Sequence, residues 1–388
     1  VSKMQIDSSK IDNILENAAL QKVPAISAAV ISKDSNIYKG HFGFKDLENK
    51  NPVDDNTLFR IASMTKAITS TCIYQLIDRD IFSLDTNLKD FFPEINDKKV
   101  IKGFDDNGDA ILTDVSNDIN IGHLLTHTSG FAYEIWNESI AKLVERGDLQ
   151  SAFANNEEFL KAPLIFEPGT NWEYGIGIDW LGVLIEKINE CSLQEYMHTN
   201  IFEPLEMSNT SYDLDKSKHS RVAKVYGRNG DEYFEMPFEV PEKSSFYSGG
   251  GNLISSIEDY SKFLKIFLNA GQGPDKQIIS MSSHDSMLKS LNEELVMKQM
   301  FSQVPMLSED VDFFPSSTKS WSPCFMINHE DINSGRPKNS AGWAGLFNSF
   351  FWIDPKNEIA AVILMQMLPF SEDGCLNTLK EFESSIYS

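Results

Sequence analysis

The chain has little cysteine. Its 388 residues include four, at Cys72, Cys191, Cys324 and Cys375, and no two of them have C-x-x-C spacing. A disulfide framework or a cysteine-based zinc site is therefore not expected in a chain this long. We predict free thiols, with Cys72 packed in the core because it lies in a helical pattern.

Basic residues are also scarce. Lysine and arginine number 34 against 57 acidic residues, which gives a formal net charge of −23. So acidic a chain repels nucleic acids and anionic membranes over long range. We therefore exclude a nucleic-acid function and attribute the acidity to solubility or salt adaptation.

Long apolar runs are absent as well. No stretch of about eighteen apolar residues occurs, so no membrane span is predicted. Residues 1–5 contain no apolar signal core and no methionine at position 1. We expect a cytoplasmic protein, or a periplasmic or secreted one if a signal peptide has been removed.

Apolar material is nevertheless ample. Hydrophobic residues make up 41% of the chain, enough for one large domain or two closely packed ones. Strand-like runs lie near both ends, at 25–32, 37–44, 325–328, 348–353 and 359–367, and helical patterns dominate between them. We predict an α/β fold of the α+β kind. One antiparallel sheet is built from both chain ends and flanked by helices, with a mostly helical subdomain inserted.

The same patterns suggest domain boundaries. Residues 1–75 and 240–388 form the predicted sheet domain, and residues 76–239 form the helical subdomain, with an active site between them. Ser248-Gly249-Gly250-Gly251 indicates a tight passage of the backbone. Residues 280–315, rich in methionine, serine and acidic groups, are expected to form a helix and then a long excursion.

Two patterns superficially suggest metal ligands. Residues 103–109 resemble a calcium loop, but the glycine is misplaced and position twelve would be Ser116 rather than glutamate. His123 and His127 have i, i+4 spacing without a glutamate between them or an evident third ligand. We predict no metal site, and a solvent-exposed hairpin turn at 103–109.

The segment Ser63-Met64-Thr65-Lys66 lies where a strand-like run meets a helical pattern. This spacing puts a hydroxyl and an amine one turn apart on one helix face, where the lysine can deprotonate the serine. Backbone N–H groups at the helix start can stabilise an oxyanion. Taken alone, however, the pattern favours a plainer interpretation, a helix-capping serine beside a solvent-facing lysine.

Two further segments fit the same chemistry. Tyr174 follows a Pro-Gly turn and precedes a helical pattern, so its phenol can hold or relay the serine proton, although it can equally pack against Trp172. Residues 340–347 are small and precede a strand, so a backbone N–H there can approach a ligand closely. A glycine-rich strand entry without a ligand is the alternative.

Several motifs together resemble a known family. Besides Ser63-x-x-Lys66, residues 123–130, 201–207 and 351–355 are typical of the serine β-lactamase-like superfamily. The resemblance is to its class C type, with the family VIII carboxylesterases and lovastatin-type acyltransferases, and it covers nearly the whole chain. Residues 103–106 and the spacing around Trp172 are similar to the acyltransferases. The resemblance implies a β-lactamase/transpeptidase-like fold.

The resemblance also implies roles for individual residues. Ser63 corresponds to the nucleophile and Lys66 to the general base. Tyr174-Gly175-Ile176 matches the Tyr-x-Asn motif, and Trp343-Ala344-Gly345 matches the Lys-Thr-Gly motif. The N–H groups of Ser63 and Leu346 would then form the oxyanion hole.

Two departures from the family pattern bear on the substrate. Ile176 replaces an asparagine that binds the β-lactam amide, and Trp343 replaces a lysine that recognises the β-lactam carboxylate. Losing polar partners of this kind weakens discrimination in favour of β-lactams. The pattern therefore favours uncharged acyl groups.

The sequence predicts a carboxylesterase of the EC 3.1.1 type that acts through an acyl-Ser63 intermediate without cofactors. An acyltransferase on the same site is the alternative; a β-lactamase, a D-amino-acid peptidase or an inactive binding protein is less favoured. The expected partner is a small-molecule ester, and the chain is expected to be a monomer or homodimer. The predicted substrate-binding residues, each of which core packing could also explain, are Trp343, Ala344, Gly345, Tyr133, Trp172 and Phe347, with Trp136 and Tyr247 as further candidates.

Overall fold

The centre of the protein is an antiparallel sheet made from both parts of the chain that flank its helical middle. A computed structural model describes residues 4–388. Its strands are β1 (Ala25–Ser32), β2 (Asn36–Asp46), β3 (Asn51–Pro52), β4 (Phe59–Arg60), β5 (Lys99–Phe104), β6 (Ala110–Asp114), β7 (Tyr226–Asn229), β8 (Glu232–Glu235), β9 (Ile254–Ser255), β10 (Lys319–Trp321), β11 (Met326–Asn328), β12 (Ala341–Gly345), β13 (Ser349–Asp354) and β14 (Ile359–Met365).

Eight of these strands form the main sheet, in the order β10-β11-β12-β13-β14-β1-β2-β3. The central pair, β1 and β14, joins the two ends of the chain in register from Ile26 opposite Met365 to Ser32 opposite Ile359. β14 is buried along its whole length because helices cover both faces of the sheet. The predicted antiparallel sheet built from both chain ends is confirmed.

Helices supply the rest of the core. They are α1 (Ser8–Gln21), α2 (Thr65–Asp78), α3 (Ile121–Leu125), α4 (Glu138–Glu145), α5 (Gly177–Asn189), α6 (Leu193–Met197), α7 (Ile257–Lys265), α8 (Met281–Met287) and α9 (Asp373–Tyr387). On β2, Tyr38 donates a hydrogen bond to Asp12 of α1, and the neighbouring Lys39 pairs with Glu258 of α7. Since adjacent strand residues point to opposite faces, α1 and α7 cover opposite sides of the sheet.

The middle of the chain, from α2 to α6, is mostly helical, with one small hairpin, β5–β6. The hairpin turn closes on itself, because the Asp105 carboxylate accepts hydrogen bonds from the N–H groups of Asn107 and Asp109. The predicted hairpin turn at 103–109 is thus confirmed. The division of the chain at residues 75 and 240 stays a prediction.

After α8 the chain runs without regular structure to β10, as the sequence indicated, and crosses between two parts of the molecule. The Gln303 N–H donates to the carbonyl of Ile135, and Ser308 pairs with Phe370 near the chain end. Residues 303–308 therefore bridge the helical middle and the sheet.

Two absences hold for residues 4–388. None of their helices has the length and apolar character needed to cross a bilayer. Nor do they contain a group of three or more histidine, cysteine or acidic side chains placed to hold a metal ion. His123 instead helps to cap α3, where its Nδ1 accepts a hydrogen bond from the Asn120 N–H.

Candidate active site

Ser63 lies on a strained turn that the neighbouring strands hold in place. β4 pairs with β9, and the Ile61 N–H donates to the carbonyl of Leu253. Ala62 then has φ +45°, a left-handed conformation that residues with a Cβ rarely adopt. A single 3₁₀ turn, Ala62–Met64, follows before α2 begins at Thr65. This backbone puts the Ser63 hydroxyl at the start of α2, facing the interior.

The plainer interpretation of Ser63 and Lys66 is wrong. Within the described residues, neither the 3₁₀ turn nor α2 has a side-chain cap. The Ser63 Oγ instead makes hydrogen bonds to Lys66 and Tyr174. Lys66 is only 2% exposed, so it does not face solvent.

The Lys66 amine is held by three oxygen atoms. Its Nζ lies 3.1 Å from Ser63 Oγ, 2.8 Å from Tyr133 OH and 2.7 Å from the carbonyl oxygen of Gly250. An ammonium group has three protons to donate, and here each proton has an acceptor. The three contacts therefore fix the amine next to Ser63 Oγ.

Tyr174 lies on the other side of the serine. Its phenol oxygen is 2.7 Å from Ser63 Oγ and accepts a hydrogen bond of 3.1 Å from the indole N–H of Trp343. Lys66 Nζ lies 4.9 Å from the centre of the Tyr174 ring. The Tyr174 phenol therefore lies among the serine hydroxyl, an indole N–H donor and the lysine amine.

β12 ends directly against the turn that carries Ser63. A Cβ at Gly345 would lie 2.3 Å from the carbonyl oxygen of Ile61, so only glycine allows this approach. Leu346 follows, which places its backbone beside the Ser63 turn. The assignment of the Ser63 and Leu346 N–H groups as an oxyanion hole stays a prediction.

Burial keeps two neighbouring titratable groups neutral. Burial lowers the pKa of His127 well below its usual range, and the charge of Lys66 lowers it further. His127 Nδ1 accepts a hydrogen bond from the Gly175 N–H and so supports the segment that carries Tyr174. Burial also raises the pKa of Tyr133 well above its usual range, with help from the charge of Asp179.

The structure separates the predicted substrate-binding residues into two groups. Trp343 contacts Tyr174, and Tyr133 contacts Lys66, so both belong to the catalytic cluster. Trp136 lies beside them, with its ring centre 5.5 Å from that of Tyr174. Ala344 is buried in β12 between Trp343 and Gly345.

The remaining candidates have other contacts. Trp172 is 1% exposed and stacks against Trp321, which in turn stacks against Tyr174. Tyr247 donates its hydroxyl proton to Asp213. Phe347 packs against Phe238, next to Leu346. Whether any of these residues binds substrate stays a prediction.

Sequence reasoning missed three members of the cluster. Trp321, on the short strand β10, lies with its ring centre 4.8 Å from that of Trp343. Gly250 was noted only as part of a tight passage, yet its carbonyl accepts from Lys66. Asp179 is buried near Tyr133, and its signal is one charged residue in the otherwise apolar first half of α5.

Comparisons with known proteins agree with this geometry. A family model described as Beta-lactamase matches residues 11–383. The ML-236A carboxylate methylbutanoyltransferase of Penicillium citrinum is 26% identical, over 95% of this chain and 91% of that protein. The lovastatin esterase of Penicillium rubens is 26% identical, over 87% of each chain.

A solved structure shows the same architecture. The LovD6 mutant of simvastatin synthase from Aspergillus terreus superposes with a TM-score of 0.83 at 25% identity. The match covers 97% of this chain and 93% of that one. The predicted β-lactamase/transpeptidase-like fold and the predicted family are both confirmed.

Proposed function

The chain belongs to the Beta-lactamase family, and we propose that it is a serine enzyme that cleaves carboxylic esters through an acyl-Ser63 intermediate. The observation that carries this proposal is the position of Ser63 Oγ, 3.1 Å from Lys66 Nζ and 2.7 Å from Tyr174 OH. A serine hydroxyl becomes a nucleophile when a neighbouring base can take its proton, and both neighbours here are candidates.

The geometry supports Tyr174 as the group that takes the proton. The Lys66 amine already donates toward three oxygen atoms, one of them a carbonyl that can only accept. Ser63 Oγ then bonds to the ester carbonyl carbon as its proton moves to the Tyr174 oxygen. Tyr174 begins this step as the phenolate, whose negative charge faces the Lys66 amine and the Trp343 indole N–H, and ends it as the neutral phenol. The sequence-based hypothesis instead had Lys66 deprotonate Ser63 together with Tyr174.

Collapse of the tetrahedral intermediate completes the acylation. The bond to the leaving alcohol breaks, and Tyr174 returns the proton to that alcohol. In the second step an incoming hydroxyl group gives its proton to Tyr174 and its oxygen bonds to the acyl carbon. The bond from that carbon to Ser63 Oγ then breaks, and Tyr174 returns the proton to Ser63, which restores the phenolate. The proposed oxyanion donors, the N–H groups of Ser63 and Leu346, would stabilise the negative oxygen in both steps.

The identity of the incoming hydroxyl group decides between two activities. Water gives a carboxylesterase of the EC 3.1.1 type, which is the function we propose. An acceptor alcohol gives an acyltransferase, and the similarity to a methylbutanoyltransferase over 95% of the chain supports this second candidate. Aromatic rings of Trp136, Trp321 and Trp343 surround Tyr174 and disfavour bulk water at the base.

A β-lactamase function is less well supported. The β12 position that carries a lysine in β-lactamases is Trp343 here, and its indole N–H is engaged with Tyr174. Ile176, which replaces the asparagine, is buried and has no polar atom in its side chain. Neither residue can bind the carboxylate or amide of a β-lactam.

One comparison of substrates tests the proposal. We expect p-nitrophenyl butyrate to be turned over much faster than the β-lactam nitrocefin. Adding a primary alcohol as acceptor should divert part of the butyryl group into a new ester, and the diverted fraction measures acyl transfer against hydrolysis. Equal turnover of nitrocefin would contradict the assignment to esters.

A further inference from the structure

Asp179 is a buried carboxylate beneath the catalytic cluster. It lies in the first turn of α5 and is 2% exposed. Burial raises the pKa of Asp179 above its usual range, and the charge of Lys66 and the contacts with Ser248, Gly250 and Tyr133 offset this only in part. An ionised carboxylate in the interior therefore depends on these partners.

A single glycine connects Asp179 to the catalytic lysine. The Gly250 N–H donates to Asp179 Oδ1 at 3.0 Å, and the Gly250 carbonyl accepts from Lys66 Nζ at 2.7 Å. The Ser248 hydroxyl also donates to Asp179 Oδ1. The carboxylate thus fixes the backbone segment that holds the lysine amine.

The fit at this position requires glycine. A Cβ at Gly250 would lie 2.6 Å from Asp179 Oδ2, closer than side-chain atoms approach one another. The segment is braced from the other side, because Tyr212 donates its hydroxyl proton to the Ser248 carbonyl at 2.6 Å. The close approach to α5 explains Gly249 as well, since a Cβ there would lie 2.6 Å from the Ile178 carbonyl oxygen.

The charged and titratable groups around Lys66 come from several elements. Asp179 and Tyr174 lie at and just before α5, Tyr133 precedes α4, and His127 follows α3. His127 and Tyr133 are held neutral by burial. Asp179 and the Tyr174 oxygen are thus the two groups of this set that can carry negative charge near the lysine.

We propose that Asp179 is a positioning residue of the acyl-transfer site, fixing the Lys66 amine beside Ser63 through Gly250 and placing a carboxylate charge beneath the catalytic cluster. The inference rests on the proposed function, because it assigns Asp179 a role in activating Ser63. A residue with a merely structural role would tie the 248–251 segment to α5 without influencing the chemistry at Ser63.

Asp179→Asn distinguishes these roles, because it keeps the shape of the side chain and removes its charge. We expect kcat for p-nitrophenyl butyrate to fall by about 10- to 100-fold, with KM changed by less than about 3-fold. The alkaline limb of the kcat profile should also move to lower pH, because the variant removes a negative charge from beneath the catalytic cluster.

Asp259 provides a matched control. It is also 2% exposed and lies in the first turn of α7, where it accepts hydrogen bonds from the Asn209 N–H and the Thr210 hydroxyl. Asp259→Asn should lower the melting temperature without moving the alkaline limb. Ser248→Ala removes one donor from Asp179 but no charge, so it should shift the limb in the same direction by a smaller amount.

A fluorophosphonate probe should label Ser63, and the labelling rate is measured against pH for each variant. This measurement separates failure of the Asp179 proposal from failure of the proposed function. Lower activity of Asp179→Asn and Ser248→Ala with an unmoved alkaline limb would overturn the proposal and leave Asp179 a structural role. If Asp179→Asn does not fold, the Ser248→Ala profile alone decides in the same way. Absence of labelling in the wild type would overturn the proposed function, and this inference with it.

Discussion

Two serine clusters in this protein invite comparison. Ser27, on β1, lies 2.9 Å from His41 Nδ1, and His41 Nε2 lies 2.8 Å from Asp55 Oδ1. This is the set of residue types found in many serine hydrolases. The cluster that contains Ser63 has a lysine and a tyrosine instead. Side-chain identity alone would therefore favour Ser27 as the nucleophile.

The backbone reverses that choice. Ser27 lies inside a regular strand, paired with Leu364 on one side and His41 on the other, and it is 1% exposed. Its N–H and carbonyl groups belong to the sheet, and an ester cannot approach its hydroxyl. Ser63 follows the strained Ala62 and lies beside the end of β12. A serine thus needs more than a proton acceptor to act as a nucleophile. It also needs an accessible turn and nearby N–H groups that can donate to the oxyanion.

The largest expected difference between the clusters is the effect of removing each hydroxyl. Ser63→Ala should reduce kcat/KM for p-nitrophenyl butyrate by more than about 10³-fold. Ser27→Ala should leave kcat/KM within about 3-fold of wild type and cost about 1 kcal/mol of stability, because one buried hydrogen bond is lost. Steady-state kinetics and thermal unfolding of both variants check this. A large loss of activity in Ser27→Ala alone would reverse the comparison.

A second test concerns the proton acceptors. Tyr174→Phe removes the phenol oxygen 2.7 Å from Ser63 Oγ and should reduce kcat by about 10² to 10³-fold, with little change in KM. His41→Gln, the matching change in the other cluster, should leave kcat unaltered. Pre-steady-state measurement of p-nitrophenol release would show whether acylation is the step that slows. Full activity of Tyr174→Phe would leave Lys66 as the base.

A third test addresses the backbone directly. Gly345→Ala places a methyl group where only 2.3 Å separates it from the Ile61 carbonyl oxygen, so the end of β12 must move away from Ser63. We expect a loss of about 10- to 100-fold in kcat, comparable to a weakened oxyanion hole. Ala344→Gly, one residue earlier in β12, is the control and should have a smaller effect. Equal losses of kcat in the two variants would show that the position of the end of β12 does not affect catalysis.

The smallest expected effects concern the dependence of folding stability on pH. One carboxyl group beside each cluster should change stability with pH, and the two changes should have opposite signs. Burial raises the pKa of Glu173, next to Tyr174, to about 7. The folded state thus binds more protons than the unfolded state, and stability falls as pH rises through that value. The melting temperature of Glu173→Gln should therefore rise relative to that of wild type as pH increases from 5 to 8.

Asp55 should behave in the opposite way. Its hydrogen bond to Lys39, with a further one to His41, lowers its pKa. Its contribution to stability is present above the ordinary aspartate pKa and is lost as pH falls through the lowered one. Asp55→Asn should lose a small amount of melting temperature at both pH 5 and pH 8, and the deficit should shrink in acid. The effect is small because the carboxylate is 65% exposed. Parallel pH trends in the two variants would contradict this contrast.

The sequence predicted the elements whose signals are local. Apolar runs identified β1 and β14, and the spacing of Ser63 and Lys66 placed their side chains on one helix turn. Their proposed catalytic role required the family resemblance, and so did that of Tyr174, which is 111 residues from Ser63 along the chain.

Other parts of the site depend on tertiary structure. The burial of Lys66 and its contact with Gly250, 184 residues away, follow from packing that no local pattern encodes. The left-handed conformation of Ala62 could not be predicted from the sequence either, since alanine has no preference for it. Trp321 lies on a strand of three residues, too short for a period-two pattern to be recognised.

The most direct test is to find the acylated residue. Wild-type protein mixed briefly with p-nitrophenyl butyrate, quenched in acid and digested, should carry one butyryl group on the peptide that contains Ser63, and Ser63→Ala should carry none. A butyryl group on the Ser27 peptide, or labelling that persists in Ser63→Ala, would contradict the account.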